Sequence, residues 1–121
     1  MSASPETLVR LCSEQEWSDA REGGWIRPEG GDSGTAAFVH LSTPQQVHLP
    51  ANRLYAGRRD LVLLYIDAAA LAAPVRWETG VPGDPESMLF PHLYGALPVA
   101  AVRQVVAYPP EADGTFPPLQ T

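Results

Sequence analysis

Lysine is absent from this sequence, and its eight basic residues are all arginines. Fourteen acidic residues bring the formal net charge to −6. A protein that binds nucleic acids in general needs a stripe of basic residues to neutralise phosphates, and no segment here provides one. The chain also lacks an apolar run of the ~18 residues that a membrane-spanning helix needs. We therefore expect neither general nucleic-acid binding nor a membrane span.

Cysteine is nearly absent, since Cys12 is the only one. A single cysteine cannot form a disulfide within the chain, and its position in an apolar run predicts a buried core residue. The N-terminus has no basic segment followed by an apolar one, so no signal peptide is predicted. These features favour a reducing compartment, and we expect the protein in the cytoplasm.

Hydrophobic residues make up 45% of the 121 positions, and 13 prolines stand mostly between the periodic segments. This composition is typical of a folded chain with its own core, and the length predicts one domain over residues 1–121 with a core from about 8 to 116. The mixture of short strand and helix patterns predicts the α+β class. We expect mixed or mostly antiparallel sheets, with the helices mainly in the N-terminal half.

Periodicity and capping residues predict the individual elements. Ser13–Glu16 has the capping-box pattern, which predicts a helix that ends at Gly23. Thr43 is predicted to begin a second helix, and Pro50 should kink it or divide it in two. The run Leu61–Ile66 is almost wholly apolar, so we predict a central strand that is buried on both faces. Further strands are predicted over Thr7–Cys12, Thr35–Leu41, Val75–Glu78 and Val99–Tyr108, and loops over residues 28–34 and 80–87.

His40 and Ser42 stand where a predicted strand meets a predicted helix, two residues apart and therefore on one face. Backbone N–H groups and side chains converge at such junctions, so this pair could hold a ligand hydroxyl group. Thr43 joins the candidate binding residues as the residue that precedes the helix. The alternative is a histidine whose hydrogen bonds stay within the neighbouring turn.

Two later segments are the predicted partners of this junction. Arg76 and Glu78 share one face of a strand, and the guanidinium should keep the carboxylate ionised. Glu78 could then accept a ligand hydroxyl or stabilise a developing cation, unless the two form a surface ion pair only. Phe90–Gly95 carries aromatic rings that could stack on a ligand or pack as a structural corner. The residues predicted to share one pocket are His40, Ser42, Glu78, His92 and Tyr94.

The predicted second helix contains three further candidates. Asn52 and Arg53 are polar residues in an apolar setting, and Arg53 could either bind phosphate with two hydrogen bonds or face solvent. Tyr55 is a candidate for stacking on a ligand or for the core. The histidines and acidic residues match no metal-site signature, so no metal site is predicted. Serine-hydrolase, Walker and dinucleotide-binding glycine motifs are likewise missing.

Five stretches, in this order along the chain, resemble the signature of a small and mainly bacterial family of uncharacterised proteins, domain of unknown function 952. They are Phe38–Val47, Ala51–Tyr55, Leu61–Asp67, Val75–Glu78 and Phe90–Gly95. The resemblance covers the chain from about residue 8 to 116. Ala37 departs from the family pattern, in which a glycine is common at that place, and so does Pro50.

This resemblance implies an ADP-ribosyltransferase-like fold and, with it, NAD as the cofactor. In that superfamily a His-x-Ser/Thr pair holds the adenosine-side ribose, a tyrosine stacks near the nicotinamide, and a strand glutamate binds the nicotinamide ribose. The resemblance gives the first role to His40 and Ser42 and the last to Glu78. Tyr55 and Tyr94 are equal candidates for the stacking tyrosine.

Three functions follow from these observations. The first is a nucleotide- or ribose-binding cleft with NAD-dependent transferase activity, in which Glu78 stabilises an oxocarbenium-like state. The second is a non-catalytic protein that binds a small metabolite. The third is an enzyme of other small-molecule chemistry, with His40, Glu78 and His92 as acid–base groups. The partner in each case is a small molecule.

Overall fold

The computed structural model describes residues 7–30, 37–79 and 89–119. Within them the chain forms two α-helices, α1 (Glu14–Gly23) and α2 (His48–Tyr55). The strands are β1 (Thr7–Ser13), β2 (Trp25–Ile26), β3 (Glu29–Gly30), β4 (Ala37–His40), β5 (Leu61–Asp67), β6 (Val75–Thr79), β7 (Leu89–Leu93), β8 (Leu97–Pro98) and β9 (Val102–Ala107). The predicted α+β class is confirmed. No helix in these ranges is long and apolar enough to cross a membrane.

The strands form three sheets in which every pairing is antiparallel. One has the order β1-β5-β9, the second pairs β2 with β8, and the third has the order β3-β4-β7-β6. The strand β5 is therefore central in its sheet, as its apolar run predicted. Its pairing with β1 is regular from Thr7 opposite Asp67 to Ser13 opposite Leu61.

An apolar cluster packs against each face of the three-stranded sheet. Alternate side chains of a strand point to opposite faces, and β5 sends Leu61 and Leu63 into one apolar cluster and Leu64 and Ile66 into another. This confirms the prediction of a strand buried on both sides. Cys12 lies in the second of these clusters, and burial raises the pKa of its thiol to about 12.

The first helix begins and ends as its sequence predicts. The Ser13 hydroxyl accepts a hydrogen bond from the Glu16 N–H at 3.0 Å, and Gly24 closes the helix with a φ of 89°, a conformation that favours glycine. Only half of the capping box forms, however. The Glu16 carboxylate is turned to Arg10, which donates to it from Nη2 at 2.6 Å.

The second helix differs from its prediction. It begins at His48 and not at Thr43, because residues 44–47 form a separate turn. The Thr43 N–H donates to Oε1 of Gln46 at 3.1 Å, so the capping pattern encloses that turn instead of opening a long helix. Pro50 lies in the first turn of α2, where a backbone N–H has no partner within the helix. The helix therefore continues past Pro50 as one element.

Other boundaries also differ. Glu29 and Gly30 belong to a strand that pairs with β4, although the sequence predicted a loop there. The last strand begins at Val102, since residues 99–101 form a single turn of 3-10 helix. Residues 31–36 and 80–88 lie outside the described residues. They include the rest of that loop, the predicted second loop and the start of the predicted strand at Thr35.

The C-terminal tail contributes to the core instead of only covering the surface. Phe116 is 2% exposed, and its ring centroid lies 5.1 Å from that of Tyr108. The Tyr108 hydroxyl donates to the carbonyl oxygen of Pro117 at 2.7 Å. The tail thus covers the face of the sheet that carries Leu61 and Leu63.

Leu63→Ala should lower the free energy of unfolding by about 2–5 kcal/mol, because a fully buried central side chain leaves a cavity when it is truncated. The matched control is Val105→Ala on β9, whose side chain is partly exposed and whose loss should cost about 0.5 kcal/mol or less. Urea unfolding followed by circular dichroism measures both. Equal losses for the two variants would contradict the central placement of β5.

Candidate active site

A backbone bridge joins the three-stranded sheet to the segment that follows β4. The Val9 N–H donates to the Ser42 carbonyl oxygen and the Ser42 N–H donates to that of Val9, both at 2.8 Å. On the other side of the same segment, the Leu41 N–H donates to the Pro91 carbonyl oxygen at 3.0 Å. The segment is therefore held between β1 and β7, and side chains from both sheets meet beside it.

One face of the four-stranded sheet collects the candidate residues. His40 lies directly opposite His92, which in turn lies directly opposite Arg76 on β6. Since alternate residues share a face, this face also carries Phe38, Glu78 and Phe90. Val39 and Leu93 point to the other face and are buried in the core. The strand register thus brings together residues that the sequence predicted separately.

Glu78 holds one edge of the His92 ring. Its Oε1 lies 2.8 Å from Nδ1 of His92 and accepts a hydrogen bond from the Tyr94 hydroxyl at 2.5 Å. The bonds from Tyr94 and then from His92 lower the pKa of the Glu78 carboxyl, so it is ionised near neutral pH. An ionised carboxylate can only accept, and therefore Nδ1 of His92 carries the proton in this pair.

The opposite edge of the His92 ring has a different environment. His92 is 2% exposed, and the Phe38 ring stacks on it at a centroid distance of 4.1 Å with 14° between the planes. The His40 ring meets it edge-on at 5.3 Å. Nε2 of His92 is buried and has no hydrogen-bond partner among the described residues. With Nδ1 protonated, Nε2 is a hydrogen-bond acceptor.

A cavity of about 220 Å³ lies beside this ring. Its polar lining includes five of the predicted site residues, and these are His40, Ser42, Arg53, Tyr55 and His92. They come from the end of β4 and the segment that follows it, from α2 and from β7. Glu78 and Tyr94 do not line the cavity, so they reach it only through His92. His40, His92 and Ser42 line one cavity as predicted, whereas the His92 side chain separates Glu78 from it.

Two further candidates have structural partners. The Asn52 amide donates to the Phe116 carbonyl oxygen at 3.0 Å and accepts from the Phe116 N–H at 2.7 Å, which anchors the C-terminal tail. The Thr43 N–H bonds to Gln46 in the turn before α2. Neither residue lines the cavity. The structure therefore does not bring Asn52 or Thr43 to the site.

Gly95 serves packing beside the site. A Cβ atom added to it would lie 2.5 Å from the Cβ of Ala73, so only glycine fits there without a shift. The Tyr94 N–H donates to the Pro74 carbonyl oxygen at 2.8 Å. The absence of a side chain at Gly95 thus allows a close approach to the segment before β6.

Sequence reasoning missed Arg10 and Phe38. Arg10 is 7% exposed and lines the cavity, while Nε and Nη2 donate to Oε2 of Glu16 and Nη1 donates to the His40 carbonyl oxygen at 3.1 Å. A signal was available, because Arg10 interrupts the apolar run from Leu8 to Cys12. A charged residue at a position that should be buried indicates a fixed ion pair or a functional site.

No group of three or more histidine, cysteine or acidic side chains is placed to hold a metal ion in the part of the chain that the structure describes. The site is instead an imidazole with one edge fixed by a carboxylate and with a cavity beside it. Such a pair can accept a proton from a bound molecule, return it, or orient a hydroxyl group.

A family described as Protein of unknown function (DUF952) matches residues 11–105, which confirms the resemblance seen in the sequence. The crystal structure of CC0527 from Caulobacter crescentus is similar with a TM-score of 0.74 and 30% identity, over 92% of this chain and 93% of that chain. The solution NMR structure of the same protein gives 0.69 and 32%, over 90% of each chain. No curated protein matches the chain.

Glu78→Gln should destabilise the protein more at neutral than at acidic pH. The Glu78 pKa is lowered in the folded state, so its contribution is present above the unfolded pKa of about 4.3 and is lost as the pH falls through the folded value. Thermal melting of wild type, Glu78→Gln and Tyr94→Phe at pH 7 and pH 3 measures this. A Tm difference that stays constant or grows on acidification would contradict the ionised Glu78 pair.

Asn52→Ala should cost about 1–3 kcal/mol, because it leaves two backbone groups of Phe116 without their partner. Limited proteolysis should then cut the tail after β9 faster than in wild type. Gln104→Ala removes an exposed amide on β9 and is the matched control, with an expected cost of about 0.5 kcal/mol or less. Equal cleavage of both variants would show that Asn52 does not anchor the tail.

Proposed function

We propose that this chain, which belongs to the DUF952 family, is an enzyme that carries out acid–base chemistry on a small molecule bound in the cavity. His92 is the general base in this proposal, and Glu78 and Tyr94 position it. The observation that supports it is Nε2 of His92, a buried acceptor without a hydrogen-bond partner among the described residues, on a ring that lines the cavity. A general base needs one fixed edge and one edge within reach of the ligand.

The chemistry follows from the placement of charge. A ligand O–H, N–H or acidic C–H group would give its proton to Nε2, and its electron pair would stay on the ligand. The imidazolium that forms would be stabilised by the Glu78 carboxylate at Nδ1, as in other carboxylate–histidine pairs. Nε2 would then return the proton to the product. Phe38 and His40, which pack on the ring, limit its rotation.

A purely structural role for His92 explains less of the geometry. A buried polar atom without a partner costs about 1–3 kcal/mol. The Glu78–His92 bond alone would not require the second nitrogen to lie in a buried site next to a cavity. A bound molecule that donates to Nε2 removes this cost, and the same bond gives the ligand its orientation.

NAD is the second candidate ligand. The ADP-ribosyltransferase-like fold, which the sequence resemblance implies, remains a proposal, and the lining of one cavity by His40, Ser42 and Tyr55 favours it. Two observations place it second. Glu78 faces His92 and Tyr94, so it would act on a ribose only through His92. The volume of about 220 Å³ is also below the ~300–1,000 Å³ of usual ligand sites, so only one part of NAD would enter.

Three sequence predictions remain proposals beside these. They are the non-catalytic binding of a small metabolite in the same cavity, the cytoplasm as the compartment, and a single domain over residues 1–121. The first differs from the enzyme only in turnover, since both need a ligand that contacts His40 and His92.

The neutral His92 ring should carry its proton on Nδ1, because Glu78 can only accept there. Long-range proton–nitrogen NMR correlation of the imidazole distinguishes the two tautomers directly. Glu78→Gln should weaken this preference, since an amide can donate as well as accept. His48, which does not line the cavity, provides the internal control. A wild-type His92 with the proton on Nε2 would rule out its role as a base toward the cavity.

The NAD candidate has its own test. Calorimetry with NAD and ADP-ribose, together with an assay of nicotinamide release, is applied to wild type, Glu78→Gln and His40→Ala. Binding with release in wild type supports a transferase, and binding without release supports a non-catalytic protein. If neither nucleotide binds, the NAD candidate is excluded, and the proposals that involve another small molecule remain.

A further inference from the structure

We infer that the ligand of this cavity is a small organic anion with an apolar body, attracted by Arg10 and Arg53 and directed toward His92. The inference rests on the proposed function for His92 and adds the chemical class of its substrate. It follows from three features of the cavity, which are the sorting of its charges, the character of its apolar wall and its size.

The charges around the cavity are sorted by sign. Arg10 and Arg53 line it, whereas none of its described lining residues is acidic. Among the described residues, two carboxylates bond to residues that line the cavity without lining it themselves, Glu16 to Arg10 and Glu78 to His92. This is unusual in a chain whose net charge is −6. A ligand that leaves water here approaches guanidinium groups first, which favours an anion and disfavours a cation.

One part of the lining is apolar. Leu11, Leu41 and Phe90 are buried along the cavity, and Leu54 stands at its rim with 62% of its surface exposed. An exposed leucine beside a cavity gains from a ligand that covers it, since burial of apolar surface is favourable. A bare inorganic ion would leave this wall in water. The ligand should therefore carry a ring or a short aliphatic chain.

The size of the cavity limits that body. A volume of about 220 Å³ is below the ~300–1,000 Å³ of usual ligand sites, so the ligand body should be small. A single ring with one ionised substituent suits such a space, with part of the ligand open to solvent. Guanidinium groups bind carboxylates and phosphates alike through paired hydrogen bonds. The expected ligand is thus an oxyanion on a small apolar body, and the probes below distinguish a carboxylate from a phosphate.

Four probes with the same ring test the inference. They are benzoate, phenyl phosphate, benzamide and benzamidine, which present a carboxylate, a phosphate, a neutral amide and a cation. Titrations are followed by NMR through the methyl groups of Leu54 and the imidazole of His92. At least one of the two anions should bind roughly tenfold or more tightly than benzamide, and benzamidine should not bind. Affinity for the anion should fall as salt is added.

Arg53→Gln should lower the affinity for the preferred anion about tenfold and remove its advantage over benzamide. Arg53 is exposed on α2, so this change leaves the core untouched. The matched control is Arg103→Gln on β9, which removes the same charge from a residue that bonds to Asp67 and does not line the cavity. The control should stay within about twofold of wild type, since a distant exposed charge is screened.

Several outcomes would overturn the inference. They are benzamide binding as tightly as both anions, an unchanged preference in Arg53→Gln, and the absence of shifts at Leu54 and His92 with every probe. None of them changes the His92 tautomer, so the general-base proposal would be judged separately. Conversely, anion binding by a protein whose His92 carries its proton on Nε2 would keep the anion site and remove the base.

Discussion

Two hydrogen bonds between Val9 and Ser42 determine the geometry of the whole candidate site. They fix the segment after β4 against β1, and the bond from Leu41 to Pro91 fixes the same segment against β7. The cavity therefore has one wall from each sheet. Because backbone bonds of this kind depend on neither side chain, the junction can persist while the residues around it specialise. Arg10 is buried at this junction, and because a buried guanidinium needs a charged partner, it pairs with Glu16.

The candidate site is built on strands and a helix, and two of the residues that line its cavity are each bonded to a carboxylate. Glu16 holds Arg10 and Glu78 holds His92, so each of these two side chains is fixed by a carboxylate that does not itself line the cavity. The Arg10 guanidinium also donates to the His40 carbonyl oxygen, which connects the two pairs through β4. Side chains held in this way need little rearrangement when a ligand binds, which favours both selective binding and proton transfer.

Local signals predicted part of the fold well. The capping residue Ser13 and the closing glycine defined α1, and the apolar run of β5 showed that the strand is central, because each signal acts within a few residues. The start of α2 was predicted wrongly, since the pattern from Thr43 to Gln46 is equally compatible with one closed turn. The strand at Glu29 was also missed, because its existence depends on a partner, β4, that a local pattern does not reveal.

The sequence by itself determined which side chains share a face of each strand, because the alternation of Cβ atoms is a property of the single chain. That was enough to link Arg76 with Glu78 and to mark His40, Ser42 and His92 as candidates. Only the tertiary structure decided that Glu78 faces His92 and Tyr94 instead of the cavity, and that Asn52 anchors the tail. The first outcome depends on the register between β6 and β7, and the second on how the C-terminal tail packs against α2. Register is set by the packing of whole faces, which no single segment specifies.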